Sequence, residues 1–131
     1  MTGLDTNVLV RYLTDDDPIQ SRKAAAWIAT AVTRGERCFI SAIVLCELVW
    51  VLRGAYDVDK TDLLVTLDRL LATTQFVIGD KDVVRRAVEA FRRGRADFAD
   101  YVIGALHRES GCPRTVTFDR RLRGDAHFQM I

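Results

Sequence analysis

The chain has few of the residues that mark secreted or disulfide-rich proteins. Among its 131 residues are two prolines and three cysteines, and Cys38, Cys46 and Cys112 are widely spaced with no Cys-x-x-Cys pair. An odd number of isolated cysteines argues against a disulfide framework and against a structural zinc site. We therefore expect reduced, mostly buried thiols, as in a cytoplasmic protein.

Long apolar runs and a strong excess of one charge are also missing. The longest apolar stretch, residues 42–52, is too short to cross a bilayer, and the N-terminus lacks the pattern of a signal peptide. The net charge of +1 identifies no partner. With 49% apolar and 28% charged residues, the composition predicts one globular domain over residues 1–131, without membrane association.

Short β-like runs alternate with helical patterns along the chain. Because helices separate the strands, the connections are crossovers, and the sheet should be mostly parallel. Capping residues mark four helix starts, at Asp17 (followed by Pro18), Ser41, Asp59 and Asp80. The predicted strands cover residues 2–6, 38–40, 76–78, 114–117 and 128–131, and the predicted helices cover residues 8–13, 18–33, 42–53, 60–72, 81–94 and 98–110.

One acid interrupts the most apolar part of the sequence. Glu47 is the only charged residue between Ala42 and Leu52. An unpaired carboxylate removed from water is strongly destabilised and normally protonates. We therefore expect Glu47 to be buried and to share a cation with other acids. The alternative is an exposed Glu47 on a peripheral helix.

Four further acids follow strand ends or begin a helix. Asp5 lies at the end of the first predicted strand and Asp119 just past the fourth, and the carboxyl ends of parallel strands share one edge of a sheet. Asp97 and Asp100, three residues apart, share one face at the start of a helix. Simpler roles exist for each: Asp97 as an N-cap, Asp119 as the cap of a turn, Asp5 as a strand terminator. A single site to which all of these acids contribute would explain their positions together.

Clustered carboxylates predict a cation. They repel one another, and one or more would protonate unless a divalent ion were bound. Oxygen-only sites suit Mg²⁺ or Mn²⁺, and their usual chemistry is phosphoryl transfer. Other chemistries lack their motifs: there is no zinc-ligand spacing around His107 or His127, no Ser-His-Asp arrangement and no glycine-rich phosphate loop.

Four short segments carry the acids over almost the whole chain. They are residues 4–9 around Asp5, 41–48 around Glu47, 96–103 around Asp100 and 117–119 ending at Asp119. In this order and at these separations they resemble the PIN-domain ribonucleases, in particular the VapC-type toxins of bacterial toxin–antitoxin modules. The resemblance implies a three-layer α/β/α sandwich with a mostly parallel sheet of four to five short strands.

The resemblance also implies roles for individual residues. Asp5, Glu47, Asp100 and Asp119 match the catalytic acids of a metal-dependent endoribonuclease. One or two Mg²⁺ or Mn²⁺ ions would be held by Asp5, Asp100 and Asp119, with Asp97 auxiliary or alternative to Asp100 and with Glu47 as a ligand, directly or through water, or as the base. Polar residues that orient the acids or contact water are matched by Thr6, Asn7 and Thr117.

The expected partners are RNA and a small antitoxin. Candidates for guiding the RNA backbone are basic residues, whose alternative is a solvated surface: Arg11, Arg92, Arg93, Arg95, Arg120, Arg121 and Arg123. By resemblance, a VapB-like antitoxin covers the site, the toxin is a cytoplasmic homodimer, and larger toxin–antitoxin assemblies occur.

Two other functions remain open at this point. A haloacid-dehalogenase-like phosphatase also begins with an Asp at a strand end, but it usually has a second Asp two residues later, where this chain has Asn7. A non-catalytic binding module could use the same acids to hold a basic partner. Phosphatase activity on small substrates would identify the first, and partner binding without metal binding the second.

Overall fold

The chain alternates helices with short strands in the order that the sequence predicts. A computed structural model describes residues 1–131, with six helices and five strands. The predicted α/β class is confirmed. The residues divide into two units, Met1–Gly79 and Asp80–Ile131, and the single domain over the whole chain stays a prediction.

The first unit contains a parallel three-stranded sheet and four helices. Its elements are β1 (Thr2–Gly3), α1 (Thr6–Leu13), α2 (Pro18–Thr33), β2 (Cys38–Ile40), α3 (Ala42–Gly54), α4 (Lys60–Ala72) and β3 (Phe76–Ile78). The strand order is β1-β2-β3, with Cys38 beside both Thr2 and Phe76. Because the strands are parallel, each connection carries at least one helix, as crossovers require.

The second unit pairs two helices with a second parallel sheet. Its elements are α5 (Lys81–Arg93), α6 (Phe98–Glu109), β4 (Thr115–Thr117), a 3-10 turn at Arg120–Leu122, and β5 (Phe128–Met130). β4 and β5 lie side by side with Thr117 opposite Met130. The five strands therefore form parallel sheets of three and two strands.

Three of the four predicted helix caps are confirmed. The side chains of Asp17, Ser41 and Asp59 each accept a hydrogen bond from the backbone N–H three residues later, at 3.0, 3.3 and 2.9 Å. Asp80 differs, because its backbone is left-handed (φ +50°) and its side chain makes no capping bond. The helix nevertheless begins at Lys81 as predicted.

The start of the chain departs from the prediction. β1 ends at Gly3 rather than at residue 6, and α1 begins at Thr6 rather than at Val8. Asp5 has the extended backbone of an N-cap (φ −79°, ψ 155°), and its carbonyl accepts from the Val8 N–H at 3.1 Å. Asp5 is therefore the N-cap of α1 and not the last residue of a strand.

The other boundaries differ little from the predictions. α6 ends at Glu109, β4 begins at Thr115, β5 ends at Met130 and α5 ends at Arg93. None of the helices is long and apolar enough to span a bilayer. The prediction of buried thiols is wrong for Cys112, which is exposed. Burial raises the pKa of the half-buried Cys46 thiol to about 11.

Close packing fixes α6 within the second unit. The rings of Phe91 on α5 and Phe98 on α6 are fully buried and meet edge to face, with centroids 5.8 Å apart. Further along α6, a Cβ at Gly104 would lie 2.6 Å from Cζ of Phe128. Only glycine allows this approach, so the Phe128 ring lies directly against the helix backbone.

A threonine hydroxyl joins the two histidines. Thr115 Oγ1 lies 2.9 Å from His107 Nδ1 and 2.9 Å from His127 Nε2. A hydroxyl can donate to one ring and accept from the other. His127 is buried, and burial, aided by the positive charge of Arg108, lowers its pKa and favours the neutral ring. Thr115 thereby ties β4 to α6 and to the residue before β5.

We predict that Thr115→Val destabilises the protein while preserving side-chain shape. The substitution leaves the buried Nε2 of His127 without its partner, which should lower the free energy of unfolding by about 1–3 kcal/mol in urea titrations at pH 7. Thr30→Val is the matched control, because the Thr30 hydroxyl is exposed and bonds only to the Ala26 carbonyl. Equal losses in the two variants would contradict the assignment.

Candidate active site

Asp5 and Glu47, the two predicted site acids of the first unit, are both exposed. The side chain of Asp5 accepts no capping hydrogen bond although the residue is the N-cap of α1. Glu47 lies in the second turn of α3, where Thr6 Oγ1 donates to its Oε1 at 3.3 Å. The expectation that Glu47 is buried is therefore wrong.

The exposed face of α3 explains this difference. Ile43 and Trp50, four residues before and three after Glu47, are 73% and 78% exposed. Positions at these spacings share one face of a helix. The apolar run therefore surrounds the whole helix, and only the opposite face, with Leu45, Leu48 and Leu52 among its residues, is buried.

The polar residues beside Asp5 have different surroundings. Thr6 is buried, and its hydroxyl links the start of α1 to Glu47 on α3. Asn7 is exposed and lines a groove of about 480 Å³ in the first unit, together with Arg11 and Trp27. Thr6 thus contacts one of the predicted acids, whereas Asn7 faces an open surface, and the roles of both residues stay predictions.

Three of the predicted acids, all in the second unit, surround one guanidinium group. Arg121 Nη2 lies 2.7 Å from Asp119 Oδ2, 3.3 Å from Asp97 Oδ2 and 3.7 Å from Asp100 Oδ2. Arg121 Nε also donates to Asp119 Oδ1 at 3.1 Å. The predicted convergence of Asp97, Asp100 and Asp119 is present, with a cation of the chain itself at its centre.

Local backbone geometry creates this cluster. Asp100 Oδ2 accepts from the Asp97 N–H at 3.1 Å, as the third residue of a capping box does. Asp119 Oδ1 accepts from the Arg121 N–H at 2.9 Å, and Thr117 Oγ1 accepts from the Asp119 N–H at 3.0 Å. Capping, the simpler role considered for Asp119, therefore exists together with the ion pair.

The three carboxylates differ in their electrostatic environment. Hydrogen bonds from Arg121 hold the pKa of Asp119 below its usual range and raise that of Arg121 itself. The pKa of Asp100 is raised, because its partial burial outweighs the attraction of Arg121. The same guanidinium therefore stabilises the anionic form of Asp119 more than that of Asp100.

Tyr101 supports the segment that carries Asp97, a role that no sequence pattern indicated. Its hydroxyl accepts a hydrogen bond from the Ala96 N–H at 3.2 Å, in a buried position. A Cβ at Gly94 would overlap the same hydroxyl, so the chain passes close over the ring. An aromatic residue on an apolar helix face suggests only a core position.

The basic residues fall into two groups. Arg11 pairs with Asp16 at 3.0 Å and Arg92 with Glu89 at 3.4 Å, which favours the surface alternative for both. The other five predicted arginines line one open groove of about 750 Å³ in the second unit, here called the arginine groove: Arg93, Arg95, Arg120, Arg121 and Arg123. Of these, Arg121 alone is ion-paired with carboxylates.

The donor chemistry of the cluster suits a divalent cation. No three His, Cys, Asp or Glu side chains have the arrangement of a preformed metal site. The carboxylates of Asp97, Asp100 and Asp119 nevertheless converge on one cationic group, and such oxygen donors are those that Mg²⁺ and Mn²⁺ prefer. The addition of Asp5 and Glu47 to the same site stays a prediction.

Comparison with known proteins identifies the family. The family model described as PIN domain matches residues 4–124, which include all five predicted site acids. The chain therefore belongs to the PIN domain family, as the resemblance indicated. It is also similar to a VapC ribonuclease of Aquifex aeolicus (strain VF5), with 24% identity over 123 residues that cover 94% of this chain and 90% of that protein.

We predict that Tyr101→Phe loosens the start of α6. Without the hydroxyl, the buried Ala96 N–H has no partner, and the free energy of unfolding should fall by about 1–3 kcal/mol. Hydrogen exchange at the Ala96 amide should accelerate more than exchange at amides of α2. Tyr12→Phe, which removes a hydroxyl from an exposed residue, is the control. Unchanged exchange at Ala96 in Tyr101→Phe would refute the proposed support.

Proposed function

We propose that this PIN-domain protein is a metal-dependent endoribonuclease that acts as the toxin of a toxin–antitoxin pair. The observation that carries the proposal is the convergence of Asp97, Asp100 and Asp119 on one cation, in a chain of this family. The similarity to a VapC ribonuclease supports RNA as the substrate. Residues 1–131 would act as a single nuclease domain.

Four carboxylates would carry the reaction: Asp5, Glu47, Asp100 and Asp119. Asp5, Asp100 and Asp119 would hold one or two Mg²⁺ or Mn²⁺ ions, with Asp97 as an auxiliary ligand or as an alternative to Asp100. A bound divalent cation supplies a more acidic water and neutralises charge on the phosphoryl group. Glu47, oriented by the Thr6 hydroxyl, would accept the proton of the attacking water or hold metal through water.

The arginine groove would hold the RNA backbone beside the acids. Arg93, Arg95, Arg120 and Arg123 form no ion pair with a carboxylate, so their charges are available to phosphates. In-line attack of water on a phosphodiester breaks the bond to the 3′-oxygen and leaves a 5′-phosphate and a 3′-hydroxyl. Thr117 would keep Asp119 in position through its bond to the Asp119 N–H, and Asn7 would contact water.

The partners follow from the same proposal. A VapB-like antitoxin would cover the acids, and the toxin would act as a cytoplasmic homodimer, alone or within a larger toxin–antitoxin assembly. Co-expression with the product of an adjacent small reading frame should suppress growth inhibition and yield a stable complex.

We predict that Asp5→Asn abolishes RNA cleavage. Loss of a proposed metal ligand should lower the rate by at least about 100-fold. The measurement is sequencing of RNA 5′ ends after brief induction, with purified protein assayed in Mg²⁺ and in a chelator. Asp15→Asn, which removes an exposed acid between α1 and α2, should cleave like the wild type. Equal cleavage by Asp5→Asn and wild type would reject the catalytic assignment, and the absence of any cleavage by wild type would favour a binding module.

We predict that Glu47→Gln lowers activity without loss of fold. Because Glu47 is exposed and its contact with Thr6 is long, the free energy of unfolding should change by less than about 0.5 kcal/mol. The cleavage rate should fall by about 10- to 100-fold, since the group is a proposed base or ligand. A destabilised protein with normal cleavage per folded molecule would instead show a structural role.

A further inference from the structure

The guanidinium group of Arg121 lies between the carboxylates of three acids. Its Nη2 lies near all three carboxylates, at 3.3 Å from Asp97, 3.7 Å from Asp100 and 2.7 Å from Asp119. A cation ligated by all three carboxylates would need the same position, because metal–oxygen bonds of about 2 Å require a central ion. The guanidinium and a divalent cation therefore exclude one another there.

We infer that Arg121 is a built-in counter-ion which competes with the divalent cation for the acids of the second unit and withdraws when that cation binds. The inference rests on the proposed function, since it concerns the same acids. Without metal, Arg121 offsets the repulsion that would otherwise drive Asp97, Asp100 and Asp119 apart. Arg121 thereby keeps the three acids together but lowers their affinity for the metal ion.

The structure provides a place for the displaced side chain. Arg121 is about half exposed, at 48%, and lies on a short 3-10 turn at the edge of the arginine groove. Turning away from the acids adds its charge to those of Arg93, Arg95, Arg120 and Arg123. Metal binding thereby increases the number of cations available to an RNA phosphate, and by thermodynamic linkage RNA should strengthen metal binding.

The test measures the affinity of the purified protein for Mn²⁺ alone by calorimetry. Arg121→Gln should bind Mn²⁺ about tenfold more tightly than wild type, because no charge-assisted hydrogen bonds have to be broken first. Two controls remove the same charge elsewhere: Arg123→Gln in the arginine groove, and Arg85→Gln on α5, where the side chain pairs only weakly with Asp82. Both should stay within about twofold of wild type.

A second measurement covers variants of low stability. Without metal, Arg121→Gln should melt at a lower temperature than wild type, and saturating Mn²⁺ should raise its melting temperature more than it raises that of wild type. Arg121→Lys, which keeps the charge but cannot bridge the carboxylates in the same way, should be intermediate in both measurements. If Arg121→Gln does not fold, the results for Arg121→Lys decide whether the guanidinium competes with Mn²⁺.

Three results would overturn the inference. Mn²⁺ affinity that is unchanged or weaker in Arg121→Gln shows that the guanidinium does not compete, and an equal gain in Arg123→Gln shows a general charge effect. Either result leaves the proposed nuclease intact, provided that wild type binds Mn²⁺ and cleaves RNA. No Mn²⁺ binding to any of the proteins would reject both the inference and the metal-dependent function.

Discussion

Repulsion among like charges is the constraint on which the candidate site depends. Asp97, Asp100 and Asp119 are held near one another because backbone N–H groups at helix and turn starts stabilise carboxylates, and because Arg121 contributes a positive charge between them. Asp5 is also an N-cap, at the start of α1, but its side chain accepts no capping hydrogen bond. At the starts of α6 and of the 3-10 turn, the same hydrogen bonds therefore cap the backbone and hold the acids in place.

Much of the fold could be predicted because its signals are local. Asp17, Ser41 and Asp59 each begin a helix through a bond from the amide three residues later, and that spacing is visible in the sequence. The grouping of Asp97 with Asp100 follows from a single turn of helix. Their approach to Asp119 was predicted because one shared site explains the positions of all the acids, and within the second unit the three carboxylates do meet at Arg121.

The failures concern properties that depend on distant parts of the chain. Glu47 was expected to be buried because its neighbours are apolar, but burial depends on which face of α3 other elements cover, and Ile43 and Trp50 share its exposed face. Arg121 was assigned to RNA because basic residues near a site are usually interpreted in that way. Its pairing with Asp97 depends on a turn that returns the side chain across 24 positions of sequence.

The tight contact between Gly104 and Phe128 has a mechanical consequence for the acids at the other end of α6. A helix transmits a displacement along its axis almost rigidly, so a larger side chain at position 104 would push the whole element, including Asp97 and Asp100, away from Asp119 and Arg121. Gly104, which has no side chain, thus helps to set the distance of Asp97 and Asp100 from Asp119 and Arg121. A substitution at that position should therefore change the alignment of Asp97 and Asp100 with Asp119.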